Sequence, residues 1–125
     1  MSRRRILIVD DHSELRRVMR ELLTDRVSDV EIGEAADGDE ACRLVARDPW
    51  HLVLLDLSLG SQRGLDTLRR LKQIRREVPV LIMSLHPEDK YRPAALALGA
   101  AGYLMKGADP GAIVSAVDRA LAPSG

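Results

Sequence analysis

Leu52-Val53-Leu54-Leu55-Asp56 is the stretch on which the fold turns. Four aliphatic residues in unbroken succession leave no polar face, so a strand built from them is buried on both sides, as in a parallel sheet covered by helices. The run closes on an aspartate, and an ionised carboxylate at the end of a buried strand needs a partner. Other runs repeat the pattern: Ile6-Leu7-Ile8-Val9 closes on Asp10-Asp11, Val80-Leu81-Ile82-Met83 on Ser84, and Tyr103-Leu104-Met105 on Lys106. A weaker run, Val30-Glu31-Ile32, adds a strand with one polar position.

Between these runs the apolar period becomes helical. Leu15, Val18, Met19, Leu22 and Leu23 form a stripe opposite Arg16, Arg17, Arg20 and Glu21, which predicts a helix from about Ser13 with that stripe turned inward. Shorter stripes fall at Ala41, Leu44 and Val45, at Leu65, Leu68, Leu71 and Ile74, at Ala94, Ala95 and Leu98, and at Ile113, Val114, Val117, Ala120 and Leu121. Pro110 stands where a first helical turn tolerates it. Strand and helix thus alternate five times, and right-handed crossovers wind such a chain into a three-layer α/β domain around a five-stranded parallel sheet.

The length, 125 residues, suits one domain with a single folded unit over residues 1–122, and 123–125 read as the start of a linker. Nineteen Lys and Arg balance nineteen Asp and Glu, so the bulk positive charge of a dedicated nucleic-acid or anionic-membrane binder is missing. With no Phe, one Trp and two Tyr, base stacking on aromatic platforms is nearly excluded and the core has to be aliphatic. The single cysteine, Cys42, closes no internal disulfide. Four apolar residues after Arg3-Arg4-Arg5 are too few for a signal-peptide core or a membrane span, which sets the expectation of a cytoplasmic protein.

In an open α/β sheet, ligands bind beyond the carboxyl ends of the strands, so the residues that close the runs are the candidates for chemistry. Asp10, Asp11 and Asp56 repel one another unless a cation joins them, and an all-oxygen donor set points to magnesium. Zinc is disfavoured because neither Cys nor His closes a run. A carboxylate beside such a cation is a nucleophile toward a phosphoryl group, with a lysine and a hydroxyl to hold the remaining oxygens. Each residue also has a structural reading: Asp10-Asp11 as a helix cap, Ser84 as a satisfied strand-end hydroxyl, Lys106 as a solvated lysine, His12 as a helix-start residue and His51 as a strand-start residue.

At these positions the chain resembles the receiver domain of two-component response regulators. The matching stretches are Ile8-Val9-Asp10-Asp11-His12, Leu54-Leu55-Asp56-Leu57-Ser58-Leu59, Gly64, Met83-Ser84 and Gly102-Tyr103-Leu104-Met105-Lys106. Asp-Asp-His and the segment Ser84 to Asp89 look most like regulators of the LuxR or NarL type, whose receiver precedes a helix-turn-helix output domain. The resemblance implies a flavodoxin-like sheet of order 2-1-3-4-5 and Asp56 as phosphoacceptor. It implies Mg²⁺ held by Asp11, Asp56 and the Ser58 carbonyl, with Asp10 acting through water. Ser84 and Lys106 would bind the phosphoryl group, and Ser84 and Tyr103 would form a switch pair.

The same resemblance implies a sensor histidine kinase as partner. The face of the fourth helix, fifth strand and fifth helix would serve a homodimer or an output domain, with no direct nucleic-acid or membrane contact by this domain. Several positions depart from the family: Gly60 stands where many relatives carry Pro, Gly107 follows Lys106, and Leu85 is bulkier than usual. Those departures motivate a second reading, a degenerate receiver that signals without phosphorylation. Ser58 and His86 read as exposed loop polarity. An aspartyl-phosphate phosphatase would want a second acid where Ser58 stands and a larger capped domain, and a flavodoxin would want a Ser/Thr/Gly-rich loop after the first strand.

Overall fold

The structure is a computed structural model that describes residues 3–57, 61–84 and 91–122. Its elements alternate along the chain as β1 (Arg4–Val9), α1 (Ser13–Arg26), β2 (Val30–Ala35), α2 (Gly38–Arg47), β3 (Leu52–Asp56), α3 (Ser61–Ile74), β4 (Val80–Ser84), α4 (Arg92–Ala97), β5 (Gly102–Met105) and α5 (Pro110–Leu121). All strand pairs are parallel, in the order β2-β1-β3-β4-β5. The expected sheet and its order are therefore present. Asp56 and Ser84 lie inside β3 and β4 as their last residues rather than beyond them.

Two apolar layers cover the sheet, sorted by the two-residue period of the strands. Ile6, Ile8, Leu52, Leu54, Leu81 and Met83 point into the layer that holds Leu23 of α1 and Ile113, Ala116 and Val117 of α5. Their neighbours Leu7, Val9, Val53, Leu55, Val80 and Ile82 point the other way, against Ala41 and Val45 of α2, Leu65, Leu68 and Leu71 of α3 and Ala95 of α4. Aliphatic side chains fill both layers, with Trp50 as the aromatic member of the buried set.

The α1 stripe departs from expectation. Leu23 is fully buried and Met19 and Leu22 pack partly, whereas Leu15 and Val18 are 45% and 55% exposed. The first turns of α1 lie beside the strand ends that carry Asp10, Asp56 and Lys106 and do not close fully upon the sheet. A groove of about 180 Å³ remains there, bordered by Leu15, Val18, Leu54, Met83 and Ile113 and reaching those three charged residues. Ile74, the last residue of the α3 stripe, is likewise 38% exposed, since α3 ends there.

Gly64 shows why one residue of α3 has no side chain. A Cβ at this buried position would overlap Leu57 Cδ2 and stand 3.3 Å from Leu57 Cα, whose backbone cannot yield without moving the segment that follows Asp56. Alanine ordinarily stabilises a helix by about 1 kcal/mol over glycine. Here overpacking of about 2 kcal/mol should outweigh that gain. Urea unfolding of Gly64→Ala is expected to give a net loss of about 1 kcal/mol, and a gain would contradict the packing argument.

Candidate functional site

Backbone pairing carries the register past the ends of the strands and so fixes the candidate residues. Val9 pairs with Leu55, placing Asp10 beside Asp56 at the point where the strand order reverses. Asp10 N–H donates to Ala35 O at 3.1 Å, Leu57 N–H to Met83 O at 2.9 Å, and Lys106 N–H to Ser84 O at 2.6 Å. Because the period is two, Asp10 follows Ile6 and Ile8, Asp56 follows Leu52 and Leu54, and Lys106 follows Leu104. All three thus fall on the α1–α5 side of the sheet. Ser84 follows Val80 and Ile82 on the other side, where Tyr103 also packs.

Lys106 is the joint between the acids. Its ammonium Nζ lies 2.9 Å from Asp10 Oδ2 and 2.9 Å from Asp56 Oδ2, with all three side chains nearly withdrawn from solvent. Burial alone would push the Asp10 carboxyl up. The His12 backbone N–H, at 2.9 Å from Asp10 Oδ1, and the Lys106 ammonium outweigh that and hold it below the ordinary 3.8. Burial would pull Lys106 down, but hydrogen bonds from the ammonium to Asp56 and Asp10 hold it above 10.5.

Asp11 is exposed at the rim, and His12 Nδ1 stands 2.8 Å from Asp11 Oδ1 and 3.2 Å from Asp10 Oδ1. The capping reading of the acidic pair does not describe α1: its N-cap is His12, which makes no side-chain cap bond. His51 does precede a strand, and its Nδ1 accepts the Arg5 backbone N–H at 2.9 Å. Arg16, expected on the solvent face of α1, is instead half-buried. Its guanidinium donates to the Asp10 carbonyl oxygen and, at 3.2 Å, to Glu34 Oε1 at the end of β2. Arg20 adds a second bond to Glu34. Helical periodicity alone gives no sign of this brace, because Glu34 is contributed by a distant strand.

Ser84 is buried, and Tyr103 is half-buried with the Arg92 guanidinium 5.7 Å above its ring centre. Ser58, Gly60, Leu85 and His86 lie outside the described residues. The donor set fits a divalent cation: one carboxylate oxygen each from Asp10, Asp11 and Asp56 and the His12 imidazole lie within 4.8 Å of one another. Lys106 engages Oδ2 of Asp10 and of Asp56, and Asp10 Oδ1 accepts the His12 backbone N–H.

A parallel sheet of this order, with carboxylates gathered at its switch point and a lysine bridging them from β5, defines a signalling receiver rather than a nucleotide-binding domain. The response regulator receiver domain matches residues 6–118, and the chain belongs to that family. It is 33% identical over 112 residues to the response regulator UvrY of Escherichia coli K12, covering 90% of this chain and 51% of that protein. It is 34% identical over 119 residues to the nitrate/nitrite response regulator protein NarL of the same strain, covering 94% and 54%. A solved LuxR-family two-component response regulator from Aurantimonas sp. SI85-9A1 superimposes with a TM-score of 0.86 at 33% identity, covering 96% of this chain and 86% of that one. The chain spans about half the length of the curated relatives it matches. Among the described residues no helix is long and apolar enough to cross a membrane.

Removing the Lys106 ammonium should leave two adjoining buried carboxylates uncompensated. Lys106→Met is expected to lose about 3 kcal/mol in metal-free buffer, the lower end for a broken buried pair, and to regain part of it when Mg²⁺ is added. Asp10 has a lowered folded pKa, so its contribution is present above 3.8 and fades as pH falls through the folded value. Lys106 has a raised one, so its contribution is complete below 10.5 and fades as pH rises through the folded value. The advantage of the parent chain over Lys106→Met, measured by urea unfolding, should be flat across neutral pH and shrink at both extremes.

Proposed function

We propose that this receiver accepts a phosphoryl group on Asp56 from a phosphohistidine of a sensor kinase and converts that charge into a change at the α4-β5-α5 face. The observation that carries the reading is the Lys106 ammonium, 2.9 Å from both Asp10 Oδ2 and Asp56 Oδ2 at the β1/β3 switch point. An Asp56 oxygen attacks phosphorus, the bond to the imidazole nitrogen breaks with its electron pair left on the nitrogen, and an acyl phosphate results. Asp11, Asp56 and the Ser58 carbonyl would hold Mg²⁺, with Asp10 acting through water. The ion would supply charge neutralisation on the transferring oxygens.

Lys106 is suited to follow the new charge, since its ammonium already faces Asp56 and can exchange a carboxylate oxygen for a phosphoryl oxygen. Ser84 ends the neighbouring strand and would give its hydroxyl to a second phosphoryl oxygen. The modification brings about two negative charges to the strand ends. Movement of Ser84 toward them would open space on the α3–α4 side, where Tyr103 packs, and make the pair a switch.

In this reading residues 1–122 form the receiver and 123–125 begin a linker. The α4-β5-α5 face serves a second copy or an output domain that controls transcription, and nucleic-acid contact belongs to that domain. The protein works in the cytoplasm and is a phosphoryl acceptor rather than a turnover enzyme. Incubation with acetyl phosphate and Mg²⁺ should add one phosphoryl group by intact mass to the parent chain and none to Asp56→Asn. Equal modification of both chains would remove Asp56 from the acceptor role, and no modification of either would favour a receiver that signals without phosphorylation.

A further inference from the structure

We propose that Arg16 and Glu34 are a positioning pair for the carboxylate site: together they fix the peptide between Asp10 and Asp11, and through it they set how tightly the acids hold Mg²⁺. The inference rests on the reading that Asp11 and Asp56 hold that ion while Asp56 accepts a phosphoryl group. It assigns control of the site's geometry to two residues outside the acidic cluster. The Arg16 side chain is 17% exposed, against 62% for Arg17 and 57% for Arg20 in the same helix, so its guanidinium is turned inward where theirs are not. Its Nε donates to Glu34 Oε1 at 3.2 Å, and Nη1 of the same fork donates to the Asp10 carbonyl oxygen. Asp10 lies past the end of β1, and among the described residues no backbone N–H takes that oxygen.

Through this pair, β2 governs both main-chain groups of Asp10. The Asp10 N–H donates to Ala35 O at 3.1 Å, and its carbonyl is held by Arg16, which is held in turn by Glu34, the residue before Ala35. Ile8 pairs with Glu34 and Val9 with Ala35, so the anchor arrives in register with the strand end it steadies. With both groups engaged, the Asp10 backbone has little freedom to rotate, and the direction in which Asp11 leaves the strand follows from it. The guanidinium and the Glu34 carboxylate offset each other's charge, so the pair contributes orientation rather than field. Orientation matters to Mg²⁺, which demands near-octahedral oxygen ligands. Removing a group that steadies metal ligands without touching the ion ordinarily costs about 10- to 100-fold in affinity or activity. A lysine would not substitute, because a compact ammonium replaces the planar fork that matches both acceptors.

Isothermal titration of the 125-residue chain with Mg²⁺ tests this, alongside urea unfolding and the initial rate of phosphorylation by acetyl phosphate. Arg16→Lys and Glu34→Ala are each expected to weaken Mg²⁺ binding by about tenfold and to raise the Mg²⁺ concentration that half-saturates the rate by the same factor. The rate at saturating Mg²⁺ should be largely retained. Arg20→Ala removes the other guanidinium on Glu34 and no contact to Asp10, and it should leave Mg²⁺ affinity within about twofold of the parent. Parental Mg²⁺ affinity in Arg16→Lys and Glu34→Ala would overturn the pair and leave the carboxylate reading standing. So would a lower folded fraction, or outright unfolding, with no shift in the half-saturating concentration, since the two residues would then serve only the framework. An equal loss of affinity in Arg20→Ala would also overturn it, by tracing the effect to the seating of α1 as a whole. Failure of the parent chain to bind Mg²⁺ would overturn the reading of the site and the pair with it.

Discussion

Two carboxylates on adjacent strand ends, joined by one ammonium, are the constraint around which this domain is arranged. Asp10 and Asp56 sit where the sheet order reverses, with too little water around them to be screened separately. Lys106 reaches both from the end of the edge strand β5, so the C-terminal ends of β1, β3 and β5 are tied by charge as well as by backbone pairing through the strands between. Among the described residues, one ammonium lies between two of the three acids, and a further cation would be welcome there. A site that is electrostatically unfinished in this way is suited to receive a metal ion and then a phosphoryl group, each arrival redistributing the same few hydrogen bonds.

The two-residue period of the strands divides the domain by function. The charged residues continue the rows that face α1 and α5, and Ser84 and Tyr103 belong to the rows that face α3 and α4. In the proposed mechanism, chemistry on one side of the sheet would be sensed on the other through β4, whose last residue, Ser84, lies two strands from β1 and next to both β3 and β5. The aliphatic packing behind these rows leaves Tyr103, partly buried under the Arg92 guanidinium, as the large ring next to the proposed switch.

Much of this was legible before any coordinates. Unbroken runs such as Leu52 to Leu55 announce doubly covered strands, and the residue that ends each run announces the site, because strand position and strand end are local properties. Packing between distant elements is not local. The α1 stripe could not reveal that Leu15 and Val18 would border an open groove at the strand ends and stay exposed. Arg16 looked like a solvent-facing residue until β2 brought Glu34 alongside it and the Asp10 carbonyl came within its reach. His12 was legible as a helix start, but its approach to Asp10 and Asp11 depends on how the backbone turns after β1.

The single tryptophan gives the domain an optical property of its own. Trp50 lies just before β3, at the end of the sheet away from Asp56, with its indole N–H bonded to Leu44 O at 2.9 Å and the Arg5 guanidinium 4.4 Å above its ring. Its ring also fills the space that a side chain on Gly33 would occupy. The emission of this chain thus originates in the framework rather than in the reactive edge, so it reports whether β1, β2 and α2 are assembled and is largely blind to what binds at the carboxylates. Integrity and occupancy can be followed in one sample by separate signals, without a label.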